Sequence, residues 1–219
     1  MRGVFVTGTG TEVGKTVVAA VIARSRAAAG ERVAVFKPAV SGLDEGGESD
    51  HSLLRRAARS SQPDDEIVPY RYGPPVSPHL GAELAGETID RERLLDTARA
   101  AAAGPDFLVC EGVGGLLVPL TLGYLVRDLA RELALPVVIA AAPGLGTINH
   151  TLMTIESARA AGLEVAAVVL SPWPPEPSVV EASNRKAIER LGQVLVEVMP
   201  RIELGDPESW PRMNLPVGD

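Results

Sequence analysis

Val4-Phe-Val-Thr-Gly-Thr-Gly-Thr-Glu-Val-Gly-Lys-Thr16 decides how this chain is read. A short apolar run empties into a loop with three glycines, and an Ala/Val-rich helical pattern follows as far as Gly30. Strand, glycine loop and helix in that order make a phosphate-binding loop. Glycines let successive backbone N–H groups turn inward on a polyphosphate, and the helix N-terminus adds its positive dipole end. Lys15 reaches for the β/γ-phosphates and the Thr16 hydroxyl for Mg²⁺, so the expected ligand is a nucleoside triphosphate. The strict pattern places a glycine five residues before Gly14, where this chain has Thr9 between Gly8 and Gly10; the loop is a variant.

Outward from that loop, apolar runs alternate with helical patterns. Strands are expected at 3–7, 33–37, 106–111, 136–140 and 165–170. Helices are expected at 15–29, from Ser49 or Asp50 to about Ser60, at 79–86, 90–103 and 124–134, from the second Gly-rich turn to about Ala161, and over 178–198. Residues 61–78 are a Pro-rich connection without periodicity, long enough to suggest a functional loop. Alternation of this kind gives a mostly parallel sheet with helices on both faces. The fold class is therefore α/β, a single P-loop NTPase-like domain over 1–219. After about residue 200 the pattern specifies little, and partial disorder is allowed there.

Composition narrows the function classes. Of 219 residues, 28 are acidic and 21 basic, a net charge of −7 that argues against a nucleic-acid partner. No apolar run approaches a membrane span, and no charged leader with an apolar core opens the chain. A single cysteine, Cys110, rules out an internal disulfide. The expected setting is cytoplasmic, and Cys110 itself reads as inert core.

Ligands of open parallel sheets gather beyond the carboxyl ends of the strands. Lys37 and Ser41 follow the second expected strand, Glu111 ends the third, and Gly144–Asn149 follow the fourth. Glu111 sits where an acidic residue can help hold Mg²⁺, or can cap locally. Asp50 is either a second oxygen ligand or only a helix cap. Lys37 at a strand end needs a phosphate or carboxylate partner unless it is simply a surface lysine.

Thr7–Thr16, Lys37-Pro38 with Ser41-Gly42, Ser49-Asp50, Ser77-Pro-His79, Glu111-Gly-Val-Gly-Gly115 and Gly146-Thr-Ile-Asn-His150 fall in an order and spacing that resembles the dethiobiotin synthetases. The resemblance spans roughly residues 3–170. It implies an ATP-dependent ring closure: 7,8-diaminononanoate takes up CO₂ (or bicarbonate) as a carbamate. The carbamate attacks the γ-phosphoryl group, and the second amine displaces phosphate from the resulting anhydride. It implies Lys37 and Lys15 as catalytic residues. Mg²⁺ would lie on Thr16, Asp50 and Glu111. Nucleotide contacts would come from Glu12 through Val17, Asp50, and Glu111 with Gly112, Val113 and Gly114. Thr11, Glu12 and Ser41 would meet the diamine or carbamate. Gly146, Thr147, Ile148 and Asn149 would hold the substrate carboxylate across the interface of a homodimer. From the residues alone that turn is equally well a plain helix cap, and neither His79 nor His150 receives a role.

Similar enzymes place an asparagine just after the fifth strand to read adenine. Here Ser171-Pro172-Trp173 stands there, leaving Ser171, Pro172 and the backbone near Pro200 to face the base, so other triphosphates are expected to substitute for ATP. The rival readings are a switch ATPase of similar fold, whose loop would carry a lysine where Gly10 stands, and a kinase of a small acid.

Overall fold

The computed structural model describes residues 1–217. Its strands are β1 (Gly3–Gly8), β2 (Val33–Phe36), β3 (Ala39–Val40), β4 (Tyr70–Arg71), β5 (Phe107–Gly115), β6 (Pro119–Thr121), β7 (Tyr124–Leu125), β8 (Val137–Ala141), β9 (Val165–Trp173) and β10 (Leu195–Pro200). The α-helices are α1 (Lys15–Ala28), α2 (Asp50–Ala58), α3 (Asp64–Ile67), α4 (Pro78–Ala85), α5 (Arg91–Ala102), α6 (Val126–Leu133), α7 (Thr147–Ala160) and α8 (Val179–Gly192).

Six strands form one sheet in the order β10-β9-β8-β1-β5-β2, with every pairing parallel. β1 lies near the middle, and its run Val4-Phe5-Val6 is wholly buried. Val4 and Val6 join the apolar cluster of α1 and α2, while Phe5 joins the cluster of α5 to α8 on the other face. Covering on both faces is why the strands read as continuous apolar runs rather than alternating ones. From β1 the chain crosses to β2 on one side, whereas β8 lies on the other. The loop after β1 therefore opens at the point where strand order reverses, the place where such sheets bind ligands.

The expected alternation is present, with two corrections. The 178–198 segment is not one helix. α8 stops at Gly192, Gln193 takes a left-handed conformation (φ 45), and Leu195–Pro200 pair with β9 as a sixth parallel strand. Leu191 and Leu195 preserve a helical i, i+4 spacing, but Val194, Val196 and Val198 favour an extended backbone once Gly192 has broken the helix.

The second correction concerns the tail. Residues 201–217 dock on α1 and α2: Trp210, Leu215 and Val217 are buried in the α1 cluster, and Trp210 Nε1 donates to the Glu203 carbonyl at 2.8 Å. Met213 N donates to Ser25 Oγ at 2.9 Å, and Glu208 joins Arg24 of α1 to Arg59 at the end of α2. The small side chains of α1 leave apolar surface that neither the sheet nor α2 covers, and the tail supplies the missing layer. The last two residues of the expected tail lie outside the described residues.

The Pro-rich connection is held to the strand-two region by its backbone. Lys37 N donates to the Ile67 carbonyl at 2.9 Å, Tyr72 N to the Val40 carbonyl at 2.8 Å, and β4 pairs with β3. These bonds fix both Lys37 and the segment 75–78 over the end of the sheet. Among the described residues no helix is long and apolar enough to cross a membrane.

Candidate active site

The loop after β1 folds back on itself before α1 begins. A Cβ on Gly8 would lie 2.7 Å from Val13 Cγ2 and 2.8 Å from Lys15 Cγ, so only glycine admits this approach. Gly14 takes a left-handed conformation (φ 83) as the residue preceding the helix. The first turn of α1 has no side-chain cap and no acidic residue, which leaves its N–H groups available to an anion. Lys15 Nζ donates to the Gly10 carbonyl at 3.1 Å, across the loop. Burial is the main influence on this ammonium and holds it below the ordinary lysine range.

Beside the loop the structure brings together four residues from four elements. Lys37 follows β2, Glu111 lies in β5, Asp50 opens α2 and Thr16 belongs to the first turn of α1. Lys37 Nζ lies 2.7 Å from Glu111 Oε1 and 2.8 Å from Asp50 Oδ2. The Thr16 hydroxyl donates to the same Glu111 Oε1 at 2.8 Å. Lys37 is 3% exposed and Glu111 0%, so this is a buried charged network rather than a surface ion pair. Burial presses the Lys37 ammonium down, but the charges and hydrogen bonds of Glu111 and Asp50 outweigh it and hold it above the ordinary lysine range. For Glu111 burial dominates and pushes the carboxyl up; for Asp50 burial is outweighed by Lys37, and its carboxyl is held down.

These residues floor a cleft of about 690 Å³. Thr11, Glu12, Gly14, Val17 and Ser41 also line it, as do Val113 and Gly114. The Pro-rich connection contributes Pro75, Val76, Ser77 and Pro78 as one wall. Among the lining residues that sequence reasoning missed are Glu45, Glu48 and, from the tail, Leu204. Glu48 is held by Arg56 through two hydrogen bonds of 3.0 and 2.7 Å, and Arg56 also reaches the Leu204 carbonyl at 2.9 Å. An acidic loop followed by an arginine-bearing helix was the signal available for that pair.

Several expected site residues are not among those that line this cleft. Gly112 faces the core, where a Cβ would meet Phe5 and Val126 at 3.0 Å, so it offers only backbone. Val13 packs against Gly8. Ser171, Pro172 and Pro200 do not line the cleft, although Ser171 Oγ comes within 3.9 Å of the position a Cβ would take on Gly14. Gly146 to Asn149 are also outside it. Gly146 is left-handed (φ 91) and precedes α7; the Thr147 and Thr151 hydroxyls lie 3.3 Å apart, and Asn149 Nδ2 reaches Met153 Sδ at 3.4 Å. Polar residues at three of the four strand ends therefore share this cleft, and the second Gly-rich turn stands outside it. Asn184 of α8 is buried and donates to the carbonyls of Pro143 and Gly144, each at 3.0 Å, fixing the second Gly-rich turn. Cys110 is buried in β5, and burial pushes its thiol well above the ordinary range.

The AAA domain family model matches residues 2–208. Among curated proteins, the ATP-dependent dethiobiotin synthetase BioD of Anaeromyxobacter dehalogenans is 45% identical over 191 residues, covering 87% of this chain and 86% of the relative. That of Bacillus subtilis (strain 168) is 37% identical over 204 residues, covering 92% and 88%. Two solved structures share the fold. The MinC:MinD cell division complex of Aquifex aeolicus has a TM-score of 0.59 at 15% identity, covering 92% of this chain and 82% of that one. A ParA family ATPase of Chlorobium tepidum has a TM-score of 0.54 at 12% identity, covering 92% and 85%. Similarity at 37–45% identity over about nine-tenths of the chain, with the loop, Lys37, Asp50 and Glu111 gathered in one cleft, leaves one conclusion: the chain belongs to the family of ATP-dependent dethiobiotin synthetases.

Proposed function

We propose that this chain closes the cyclic urea of dethiobiotin at the expense of a nucleoside triphosphate. The observation that carries the reading is the network of buried Lys37 and Glu111 with half-buried Asp50 and Thr16, set against the Gly8–Lys15 loop. CO₂ adds to one amine of 7,8-diaminononanoate, forming a C–N bond and releasing a proton. The carbamate oxygen attacks the γ-phosphorus, and the bond to the bridging oxygen breaks to release the diphosphate. The second amine then attacks the carbamic–phosphoric anhydride, and phosphate leaves as the ring closes. A carbamate is a weak nucleophile beside a polyanion, so positioning and charge neutralisation must supply most of the catalysis. Lys15 and Lys37 bracket the carbamate and the γ-phosphate; Thr11, Glu12 and Ser41 orient the diamine end.

The donor set suits Mg²⁺, a hard cation that prefers oxygen and keeps several waters. Thr16, Asp50 and Glu111 would hold it, and Glu111 Oε2 is a buried oxygen with no hydrogen-bond partner, so the carboxylate retains donor capacity. Among the described residues no group of three or more His, Cys, Asp and Glu gathers, so phosphate oxygens and water must complete the shell. Bound there, Mg²⁺ supplies charge neutralisation on the phosphate oxygens. The test of the whole reading is phosphate release, which is expected only when diamine and bicarbonate are both present. Release with nucleotide alone, at a comparable rate, would instead mark an ATPase.

Base selection is expected to be loose. Adenine is read by paired donors and acceptors; Ser171 offers a hydroxyl, Pro172 offers no N–H, and Asn184 is already committed to Pro143 and Gly144. CTP, GTP and UTP are therefore expected to give kcat/KM values comparable to that of ATP. An advantage for ATP of a hundredfold or more contradicts this.

The substrate carboxylate is assigned to the N–H groups of Gly146–Asn149 of a second copy, in a cytoplasmic homodimer. What supports this is the exposed apolar rim beside that turn, with Leu117 58%, Leu145 97% and Met153 60% exposed. Asn149→Ala is expected to raise KM for the diamine several-fold while leaving nucleotide affinity unchanged. An active monomer in sedimentation under assay conditions removes the shared site.

A further inference from the structure

Four of the charged side chains that line the cleft act on one another, Lys15, Lys37, Asp50 and Glu111, and the formal charges of those four cancel; Glu12, Glu45 and Glu48 line the cleft besides. Lys37 is central to that balance. Its Nζ holds Asp50 Oδ2 at 2.8 Å and Glu111 Oε1 at 2.7 Å, and the Thr16 hydroxyl donates to the same Glu111 oxygen at 2.8 Å. The groups assigned above to a divalent cation are therefore the groups that this ammonium already binds or shares an oxygen with. Lys37 and Glu111 are buried, so little water separates that ammonium from that carboxylate, while the Asp50 side chain is 42% exposed. Lys15, folded onto the Gly10 carbonyl, adds a second positive charge at the same end.

A dication entering alone adds two positive charges to a group of four whose own charges cancel, beside two ammonium groups that it must displace or face. The same dication arriving with a polyphosphate brings more negative than positive charge, and both lysines then gain partners. The geometry points to Lys37 as an internal counter-cation that makes metal binding conditional on nucleotide. Its two contacts hold Asp50 and Glu111 together, yet they deny both carboxylates to a metal ion that arrives alone. The metal is accepted with the triphosphate, as the ammonium turns its hydrogen bonds from the carboxylates to the phosphoryl oxygens. This inference rests on the reading that Thr16, Asp50 and Glu111 hold the metal.

Mn²⁺ titrated into the full chain without nucleotide, with free ion followed by electron paramagnetic resonance, tests it without reference to turnover. Wild type is expected to bind Mn²⁺ weakly, Lys37→Met at least tenfold more tightly, and wild type with a non-hydrolysable ATP analogue at least tenfold more tightly than wild type alone. Equal affinities for wild type and Lys37→Met, within twofold, overturn the inference. So does wild-type affinity that is as high without the analogue as with it, a comparison that holds even if the variant fails to fold. Failure of the underlying site would look different: Asp50→Asn and Glu111→Gln would then leave Mn²⁺ affinity in the presence of the analogue unchanged.

Discussion

Replacing Lys37 by alanine is expected to lower turnover by about three powers of ten while nucleotide still binds. The proposed reading assigns the grip on the nucleotide to the loop and the first turn of α1, neither of which Lys37 belongs to. In the proposed mechanism its ammonium neutralises charge that develops as the carbamate meets the γ-phosphate, and losing such a donor raises a barrier by about 3–4 kcal/mol. A second effect must be separated from the first. Glu111 is 0% exposed, and without Lys37 its carboxylate has lost its buried cation. Breaking a buried pair by removing one partner costs about 3–5 kcal/mol of stability. The double variant Lys37→Ala/Glu111→Gln removes the stranded charge, so it should recover most of that stability while turnover stays low. Single-turnover phosphate release read alongside a denaturant midpoint distinguishes the two effects. A Lys37→Ala enzyme retaining a third of wild-type activity would take Lys37 out of the mechanism.

What could be read from the chain follows the range of the interactions involved. The loop from Val4 to Thr16 is local: its glycines, its lysine and the helix behind it are contiguous, and the structure folds them as a unit. Lys37 and Glu111 were legible because strand ends in a parallel sheet face the ligand side, a rule that needs no knowledge of neighbours. Asp50 was ambiguous because a residue opening a helix looks the same whether it caps or reaches elsewhere. Its partner Lys37 lies on another element, and the packing of α2 against β2 and α1 brings the two together. Asn184 was equally opaque, since its partners are carbonyls of Pro143 and Gly144, and backbone acceptors carry no sequence signal. The β10 strand was hidden because leucines spaced four apart suit a helix, and only pairing with β9 decides between the two periods.

Trp210→Ala is expected to be the most damaging substitution outside the cleft, although Trp210 lies in the segment the pattern specified least. The indole is 6% exposed, packs in the α1 cluster and donates through Nε1 to the Glu203 carbonyl. Truncating a buried tryptophan typically costs about 3–5 kcal/mol, and here the Glu203 acceptor also loses its donor. The exposed contacts of the same segment should matter far less. Glu208 bridges Arg24 and Arg59 with its side chain 60% exposed, so Glu208→Gln is expected to shift the denaturant midpoint far less than Trp210→Ala. The tail also reaches the cleft, because Leu204 lines it and the Leu204 carbonyl accepts from Arg56, the residue that holds Glu48. Loosening the anchor at Trp210 should therefore weaken nucleotide binding several-fold as well as lowering the denaturant midpoint. If Trp210→Ala and Glu208→Gln shift the midpoint equally, the tail is held by its surface charges rather than by burial, and the layer it adds over α1 contributes little to the fold.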